Sequence, residues 1–278
     1  MEDSKDIAKR SKSNLAFALS SLPRQRRDDM VTFYAFCRVV DDIADEPGME
    51  TIERHRQLDV WRASAAEGFD PANGKLHADL AEIVDRYSVP PEQFVQIIDG
   101  VSCDIEPTLY QTYDELLAYC YKVASVVGLV SVRVFGCESE SASDYATSLG
   151  YALQITNIMR DVGEDLNNGG RIYLPLETMA QFGYSEDDLR QRRYNSAFKD
   201  MMSHHYERAV GYYEEAAKLL PSGDKKRLVA SEMMAKIYRE ILEAMRADDY
   251  RVFDKRYGLS KARKATILAT SWLKAKLG

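Results

Sequence analysis

Apolar residues recur every three to four positions through most of the chain, and this spacing is helical rather than alternating. It matches the 3.6-residue period of the α-helix. Fifteen glycines and eight prolines are spread sparsely over 278 residues, so long helices can run between them. The pattern predicts an all-α fold with main helices over 28–45, 52–66, 113–135, 143–164, 197–220 and 225–247.

Short loops are expected where Gly, Pro and Asn interrupt this periodicity, at 70–74, 89–91, 106–108, 167–170 and 221–223. None of them is a long linker rich in Ser, Gly or Pro, and no internal repeat is visible. We therefore expect residues 1–278 to form a single helical domain.

The charge balance narrows the class of protein. Lys and Arg number 37 against 44 Asp and Glu, a formal net charge of −7, which argues against a nucleic-acid partner. The chain is 45% hydrophobic and 29% charged, which suits a large core in a cytoplasmic globular protein. We expect no targeting signal and no transmembrane segment, since the longest apolar stretch, 123–135, contains Ser131 and Arg133. The amphipathic tail, 267–277, could touch a membrane peripherally, but a packed terminal helix is favoured.

Cysteines and histidines give no sign of a metal centre. Cys37, Cys103, Cys120 and Cys137 are far apart and form no C-x-x-C pair, so neither a zinc site nor a disulfide framework is indicated. His55, His77, His204 and His205 lie outside the motifs that follow, and we expect them at the surface.

Two pairs of aspartates are spaced four apart, Asp41 with Asp45 and Asp161 with Asp165. On a helix, such residues share a face about 6 Å apart along the axis, so both carboxylates could bind Mg²⁺. Carboxylate oxygens with open water positions suit Mg²⁺ bound to a diphosphate. The spacing alone is weak, because about two such pairs are expected by chance in a chain this acidic.

The residues around the pairs make the interpretation stronger. Each pair ends an apolar stretch and belongs to a polar stripe with helical spacing. The first stripe is Tyr34, Arg38, Asp41 and Asp45, and the second is Gln154, Asn157, Asp161 and Asp165. Burying amide and carboxylate groups is costly unless ions or ligands satisfy them, so we expect both stripes to face a cavity. Arg38 could then bind a phosphate through two hydrogen bonds.

Three strings carry a family resemblance: YAFCRVVDDIADE (34–46), YCYKVASVVG (119–128) and LGYALQITNIMRDVGEDLNNGGRIYLP (149–175). They resemble the signature segments of the squalene/phytoene synthase family, and the likeness covers nearly the whole chain. It implies a single-domain isoprenoid synthase bundle around a central prenyl cavity. It also implies a transferase that joins two allylic diphosphates head to head with Mg²⁺, through a cyclopropyl intermediate, in isoprenoid biosynthesis such as that of carotenoids or hopanoids.

The resemblance assigns roles to individual residues. Asp41 and Asp45 become the first Mg²⁺ pair, and Asp161 and Asp165 the second, with Asn157 beside them. Diphosphate or the reacting groups are contacted by Lys12, Ser13, Tyr34, Arg38, Gln154, Tyr238, Arg256 and Lys264. The prenyl channel is lined by Tyr119, Val123, Ala124, Val127, Gly128, Ala146, Gly150 and Leu153. Tyr34, Tyr119 and Tyr238 could stabilise cationic charge or position a proton transfer, and Asp104 matches a further acidic position.

Departures from the family pattern concern one prenyl pocket. Ser125 stands at the position of a glycine, and Asn14 and Leu15 stand where relatives carry an aromatic residue. The resemblance leads us to expect a bacterial-type enzyme without the C-terminal membrane anchor of the eukaryotic squalene synthases.

Farnesyl diphosphate is the leading substrate, giving presqualene diphosphate, squalene or dehydrosqualene, and geranylgeranyl diphosphate, giving phytoene, is the alternative. NADPH would be needed if squalene is the end product, and the sequence does not reveal the oligomeric state. A head-to-tail chain elongator is disfavoured, because D-D-x-x-D occurs only at Asp41–Asp45. A terpene cyclase is disfavoured because this sequence lacks the Asn, Ser and Glu metal ligands expected of that class. A non-enzymatic scaffold is disfavoured because it would give no reason for the polar stripes.

Overall fold

The computed structural model describes residues 18–46, 48–106 and 109–277. Regular secondary structure within these ranges is helical, which confirms the predicted all-α class. The α-helices are α1 Arg24–Asp45, α2 Thr51–Glu67, α3 Lys75–Tyr87, α4 Pro91–Ser102, α5 Tyr113–Cys120, α6 Val126–Phe135, α7 Ser141–Asn167, α8 Leu176–Gln181, α9 Glu186–Arg190, α10 Ser196–Leu219, α11 Val229–Ala247 and α12 Lys261–Leu277. Short 3₁₀ turns occur at Pro71–Asn73 and Ser222–Asp224, and a π-helical turn at Tyr121–Ser125.

The six predicted main helices are all present, with boundaries that shift where side chains hold the backbone. The structure adds α3, α4, α8 and α9, which the sequence analysis did not predict. The helix predicted to begin at residue 225 begins at Val229. The cause is Asp224, whose buried carboxylate accepts hydrogen bonds from the backbone N–H groups of Glu138 and Ser139 and from Arg227. A fully buried carboxylate requires such partners. Because Asp224 is held by them, residues 225–228, which directly precede α11, stay in a turn.

Helix α7 lies at the centre of the bundle. It packs along α10 and against α6 and the π-helical turn, while α2 packs on α4. Glycines permit α7 and α4 to approach the π-helical turn closely: a Cβ on Gly150 would lie 2.5 Å from the Cα of Ser125, and a Cβ on Gly100 would lie 2.7 Å from Val123. The Ser125 hydroxyl donates to the carbonyl of Thr147 at 2.9 Å. The π-helical turn is therefore clamped between α4 and α7.

Helices α5 and α6 and the intervening π-helical turn form one helical stretch, Tyr113–Phe135. By length and composition alone this stretch is apolar enough to cross a membrane, since Ser131 and Arg133 do not lower its mean hydropathy sufficiently. Core helices of globular proteins meet the same criterion, and this one packs against α4 and α7. It contributes one wall of the cavity described below.

Two of the four histidines contradict the expected surface position. His205 is 1% exposed and packs beside the Tyr113 ring at 6.2 Å, and His77 is 9% exposed and stacks on Trp61 at 4.5 Å. Burial lowers the pKa of His205 to about 3, so it is neutral. A neutral imidazole packs well against aromatic rings, and the apolar neighbours come from other helices, so the local sequence gives no sign of this burial.

Helix α12 packs along α11, as expected for the tail. Ile267 is buried, and the Lys236 ammonium donates to the Ser271 hydroxyl at 2.9 Å. The four cysteines are free thiols.

Candidate active site

A cavity opens between α1, α4, α7 and the α5–α6 stretch. Its volume is ≈ 620 Å³ including the open mouth. It is lined by Tyr34, Cys37, Arg38 and Asp41 from α1, by Ile97, Val101 and Asp104 from and just after α4, by Tyr119, Val123 and Val127 from the α5–α6 stretch, and by Gln154 from α7. The first predicted stripe thus contributes three residues to this cavity and the second contributes Gln154, whereas Asp45, Asn157, Asp161 and Asp165 are outside its lining. Polar and apolar side chains share its walls.

Arginines form ion pairs with the carboxylates of the first aspartate motif, residues 41–45. Arg38 pairs with Asp41 at 3.0 Å and with Asp42 at 2.5 Å, so the side chain expected to bind a phosphate is held by carboxylates of its own helix. Asp45 pairs with Arg171, which follows α7, at 2.7 Å. The first motif is therefore linked to the segment that follows the second one.

Arginines also hold the second motif. Asp161 accepts hydrogen bonds from Arg160 at 2.8 Å and from Arg256 at 3.0 Å, and Arg256 lies 3.3 Å from Glu164. Arg160 in turn lies over the ring of Tyr238 at 5.7 Å. Two of the predicted phosphate-binding residues, Arg256 and Tyr238, are thus placed at the second aspartate motif.

Burial and mutual repulsion raise the pKa values of one carboxyl group in each aspartate motif. Burial, followed by repulsion from Asp161, raises the pKa of Asp165 to about 7. Burial, followed by repulsion from Asp45, raises the pKa of Asp41 to about 6. The Asp41 side chain is 44% exposed, but it lies at a cavity wall where protein atoms limit its hydration. An added cation would relieve this repulsion.

The donor atoms fit Mg²⁺. The side-chain oxygen of Asn157 is buried without a hydrogen-bond partner, while its amide donates weakly to Gln154 at 3.4 Å. An unpaired buried carbonyl oxygen beside carboxylates is a suitable ligand for a hard cation. Within the described ranges, no three or more His, Cys, Asp or Glu side chains are already gathered in a ligating group. The arginine pairs therefore stand where an ion would have to compete.

A tyrosine cluster surrounds Asp104. Its carboxylate accepts hydrogen bonds from Tyr119 at 2.9 Å and from Tyr173 at 2.7 Å, and the two rings stack at 5.3 Å. Arg171 donates to the backbone carbonyl of Asp104 at 2.6 Å. Burial, above all, raises the pKa of Tyr119 well above its usual range, so Tyr119 is a neutral phenol.

Sequence reasoning did not identify several residues of this site. Arg171 and Tyr173 are in the string RIYLP, directly after the second motif, and Cys37, Ile97 and Val101 line the cavity. Position in a matched string was the only available signal for Arg171 and Tyr173. Their partners are distant in sequence, and no local pattern marks them.

Other predicted residues lie apart from the cavity lining. Gly128 and Ala146 meet where α6 crosses α7, and a Cβ on Gly128 would lie 3.0 Å from the Ala146 carbonyl. Ala124 and Leu153 are half-buried, Gly150 is buried against Ser125, and Lys264 is in the first turn of α12. Lys12 and Ser13 lie outside the described residues. The roles of all these residues stay predictions.

An all-α bundle whose cavity holds Asp41 of the first acidic motif, with the second motif linked to the first through Arg171, defines a class, and sequence comparison gives the family. The chain belongs to the squalene/phytoene synthase family, whose family model matches residues 8–263. It is 34% identical over 261 residues to "Phytoene synthase 2, chloroplastic" of Zea mays, covering 90% of this chain and 64% of that protein. It is 35% identical over 266 residues to "Phytoene synthase 1, chloroplastic" of Arabidopsis thaliana, covering 91% and 61%. The chain therefore spans less than two thirds of the length of these relatives.

Solved structures share the fold. A crystal structure of a dehydrosqualene synthase in complex with ligand superposes with a TM-score of 0.84 at 30% identity, covering 99% of this chain and 96% of that one. Squalene synthase HpnC from Alicyclobacillus acidocaldarius superposes with a TM-score of 0.79 at 27% identity, covering 89% and 93%. The names of the sequence relatives and of the structural relatives point to different products.

Proposed function

We propose that the protein is a prenyltransferase that joins two allylic prenyl diphosphates head to head in a Mg²⁺-dependent reaction. Two farnesyl diphosphates are the leading substrates, and presqualene diphosphate is the first product, which can continue to squalene or dehydrosqualene. The observation that carries the proposal is the cavity itself: Arg38 and Asp41 share one space with the apolar Ile97, Val101 and Val127. A prenyl diphosphate has the same two parts, an anionic head and an apolar chain.

The polar part of the site suits the departure of a diphosphate. Mg²⁺ would be held by Asp41, Asp45, Asn157, Asp161 and Asp165, and when bound it supplies positive charge that stabilises the leaving group. Arg38 and Arg256 are two of the chain's own cations at these motifs, beside Arg171 and Arg160. A guanidinium released from a carboxylate can bind phosphate oxygens through two hydrogen bonds and stabilise the charge that develops on them.

The apolar walls suit the fate of the other fragment. Departure of diphosphate leaves an allylic carbocation, which water would capture, so side chains such as Val123 and Val127 serve by excluding water. Tyr119 lines the same cavity, and its hydroxyl is engaged with Asp104. A neutral phenol held in this way presents an electron-rich ring that can stabilise positive charge.

Phytoene synthesis from two geranylgeranyl diphosphates is the second candidate. The 34% and 35% identity to plant phytoene synthases favours it. The dehydrosqualene synthase with a TM-score of 0.84, which aligns with 96% of its own length, favours the shorter substrate. We give farnesyl diphosphate precedence because that likeness extends over the whole of the compared protein.

The decisive experiment is incubation of the purified protein with farnesyl or geranylgeranyl diphosphate and Mg²⁺, with and without NADPH, followed by mass spectrometry of the products. We expect a thirty-carbon product from farnesyl diphosphate and none when EDTA replaces Mg²⁺. A forty-carbon product alone would establish the second candidate. NADPH is expected to matter only if squalene is the end product.

A pair of substitutions on one helix controls this assay. Asp161→Asn should abolish product formation, whereas Asp144→Asn, at an exposed position in the first turn of α7, should leave it unchanged. Absence of product from both substrates with the wild-type protein would refute the proposal.

A further inference from the structure

Arg171 connects three acidic elements of the site. Its guanidinium lies 2.7 Å from the carboxylate of Asp45 in the first motif and donates to the backbone carbonyl of Asp104 at 2.6 Å. Its backbone N–H donates to the backbone carbonyl of Asp165 in the second motif at 3.0 Å. One residue thus ties the end of α1, the end of α7 and the residues after α4 together.

Arg171 is a largely buried cation among the carboxylates of the site. Its side chain is 14% exposed, and besides pairing with Asp45 it lines one small pocket with Asp165 and another with Asp104. Removing one positive charge here would leave several carboxylates facing each other at low hydration, which is unfavourable.

We propose that Arg171 is the resident cation of the metal site: it neutralises Asp45 and holds the two aspartate motifs together until a divalent ion takes over that charge. This rests on the proposed function, because it assumes that the motifs bind Mg²⁺. The divalent ion and the guanidinium compete for the Asp45 carboxylate. Binding of the ion must therefore include the cost of breaking the Arg171–Asp45 pair.

Competition between Arg171 and the divalent ion predicts a metal-dependent change in stability that a purely structural role does not. If Arg171 only braces the fold, Arg171→Gln destabilises the protein equally with and without metal. If Arg171 substitutes for the ion, the loss is largest without metal and shrinks when metal is present, and the variant binds the ion more tightly. A tenfold difference in affinity would correspond to a cost of about 1.4 kcal/mol for breaking the Arg171–Asp45 pair.

The test compares wild type, Arg171→Gln, Arg171→Lys and a control variant, Arg86→Gln. Arg86 also bridges two carboxylates, the buried Asp29 at 2.9 Å and Glu82 at 2.9 Å, but it lies on α3 outside the cavity lining. Thermal unfolding is measured in EDTA and in saturating Mg²⁺ at constant ionic strength. Mn²⁺ affinity is measured by electron paramagnetic resonance of the free ion, and neither readout requires substrate or turnover.

We expect Arg171→Gln to lower the Tm by several degrees in EDTA, to recover most of that loss in Mg²⁺, and to bind Mn²⁺ about tenfold more tightly than wild type. Arg171→Lys keeps the charge, so its Tm and its Mn²⁺ affinity should lie between those of wild type and Arg171→Gln. Arg86→Gln should lose the same Tm in both buffers and bind Mn²⁺ like wild type.

Two results would overturn the proposal. Equal destabilisation of Arg171→Gln with and without metal, or weaker Mn²⁺ binding by it, would show that Arg171 is structural or supports the metal ligands. Absence of Mn²⁺ binding by every protein would overturn the metal site and the role of Arg171 together. Product formation by the wild type is scored separately, so failure of the proposed function is distinguishable from failure of the Arg171 role.

Discussion

Gly163 is the residue of α7 at which a single methyl group tests the geometry of the site. It lies between Asp161 and Asp165, and a Cβ there would be 2.6 Å from the carbonyl oxygen of Val252. Val252 belongs to the turn after α11, which also carries Arg256 to the Asp161 carboxylate. Gly163→Ala therefore pushes on the segment that delivers a cation to the second motif.

The size of the effect follows from the distances. Ordinary van der Waals contact begins at 3.4 Å, so the Val252 carbonyl must retreat by about 0.8 Å, and it is backbone that cannot rotate away. Overpacking of this kind costs about 1–3 kcal/mol. The Arg256–Asp161 hydrogen bond, 3.0 Å long, would not survive a shift of that size. A misplacement near 1 Å in a catalytic site can reduce kcat/KM by roughly 100-fold.

Gly211→Ala is the matched control, because Gly211 is also inside a long helix but has nothing within 4 Å of its Cβ position. Alanine there should stabilise the protein by about 0.5–1 kcal/mol, since it lowers the entropy lost on folding. Urea unfolding and product formation from farnesyl diphosphate measure both variants. If Gly163→Ala is as stable and active as Gly211→Ala, the close contact of the turn with α7 is wrong.

Three further predictions concern single side chains. Asp161→Asn should abolish product formation, a loss of at least 100-fold in turnover, without changing helicity by circular dichroism, because the charge that develops on the departing diphosphate loses its stabilisation. Substantial residual turnover would contradict this. Tyr173→Phe should destabilise the protein by about 1.5–3 kcal/mol in urea, because the Asp104 carboxylate loses a donor. Tyr184→Phe, whose hydroxyl donates to a neutral carbonyl, should cost about 1 kcal/mol, and equal losses would refute the comparison. The pKa of His205 is about 3 in the folded protein and near 6.5 in the unfolded chain. Between these two pH values only the unfolded chain binds the proton, so the free energy of unfolding decreases as the pH falls below about 6.5. The wild type should lose up to about 1.4 kcal/mol per pH unit there, and His205→Phe should be less sensitive to acid; parallel pH profiles would contradict the assignment.

Local periodicity was sufficient for the six main helices that we predicted and for the two stripes, but it did not reveal α4, which contributes Ile97 and Val101 to the cavity. Residues four apart on a helix share a face whatever the helix packs against, so Asp41 and Asp45, and likewise Asp161 and Asp165, could be paired from their spacing alone. The change from helix to turn at Asp224 could not be predicted in this way. Its cause is a carboxylate that caps backbone groups of Glu138 and Ser139, far away in sequence.

The sequence by itself determined the all-α class, the family and the residue types of the site, because these depend on short-range spacing and on matched strings. Only the tertiary structure decided which charges meet. Arg171 reaches Asp45 and the carbonyl of Asp104, and His205 enters the core, because helices distant in the chain pack together. Ion pairs and burial depend on neighbours in space, and a sequence pattern records only neighbours along the chain.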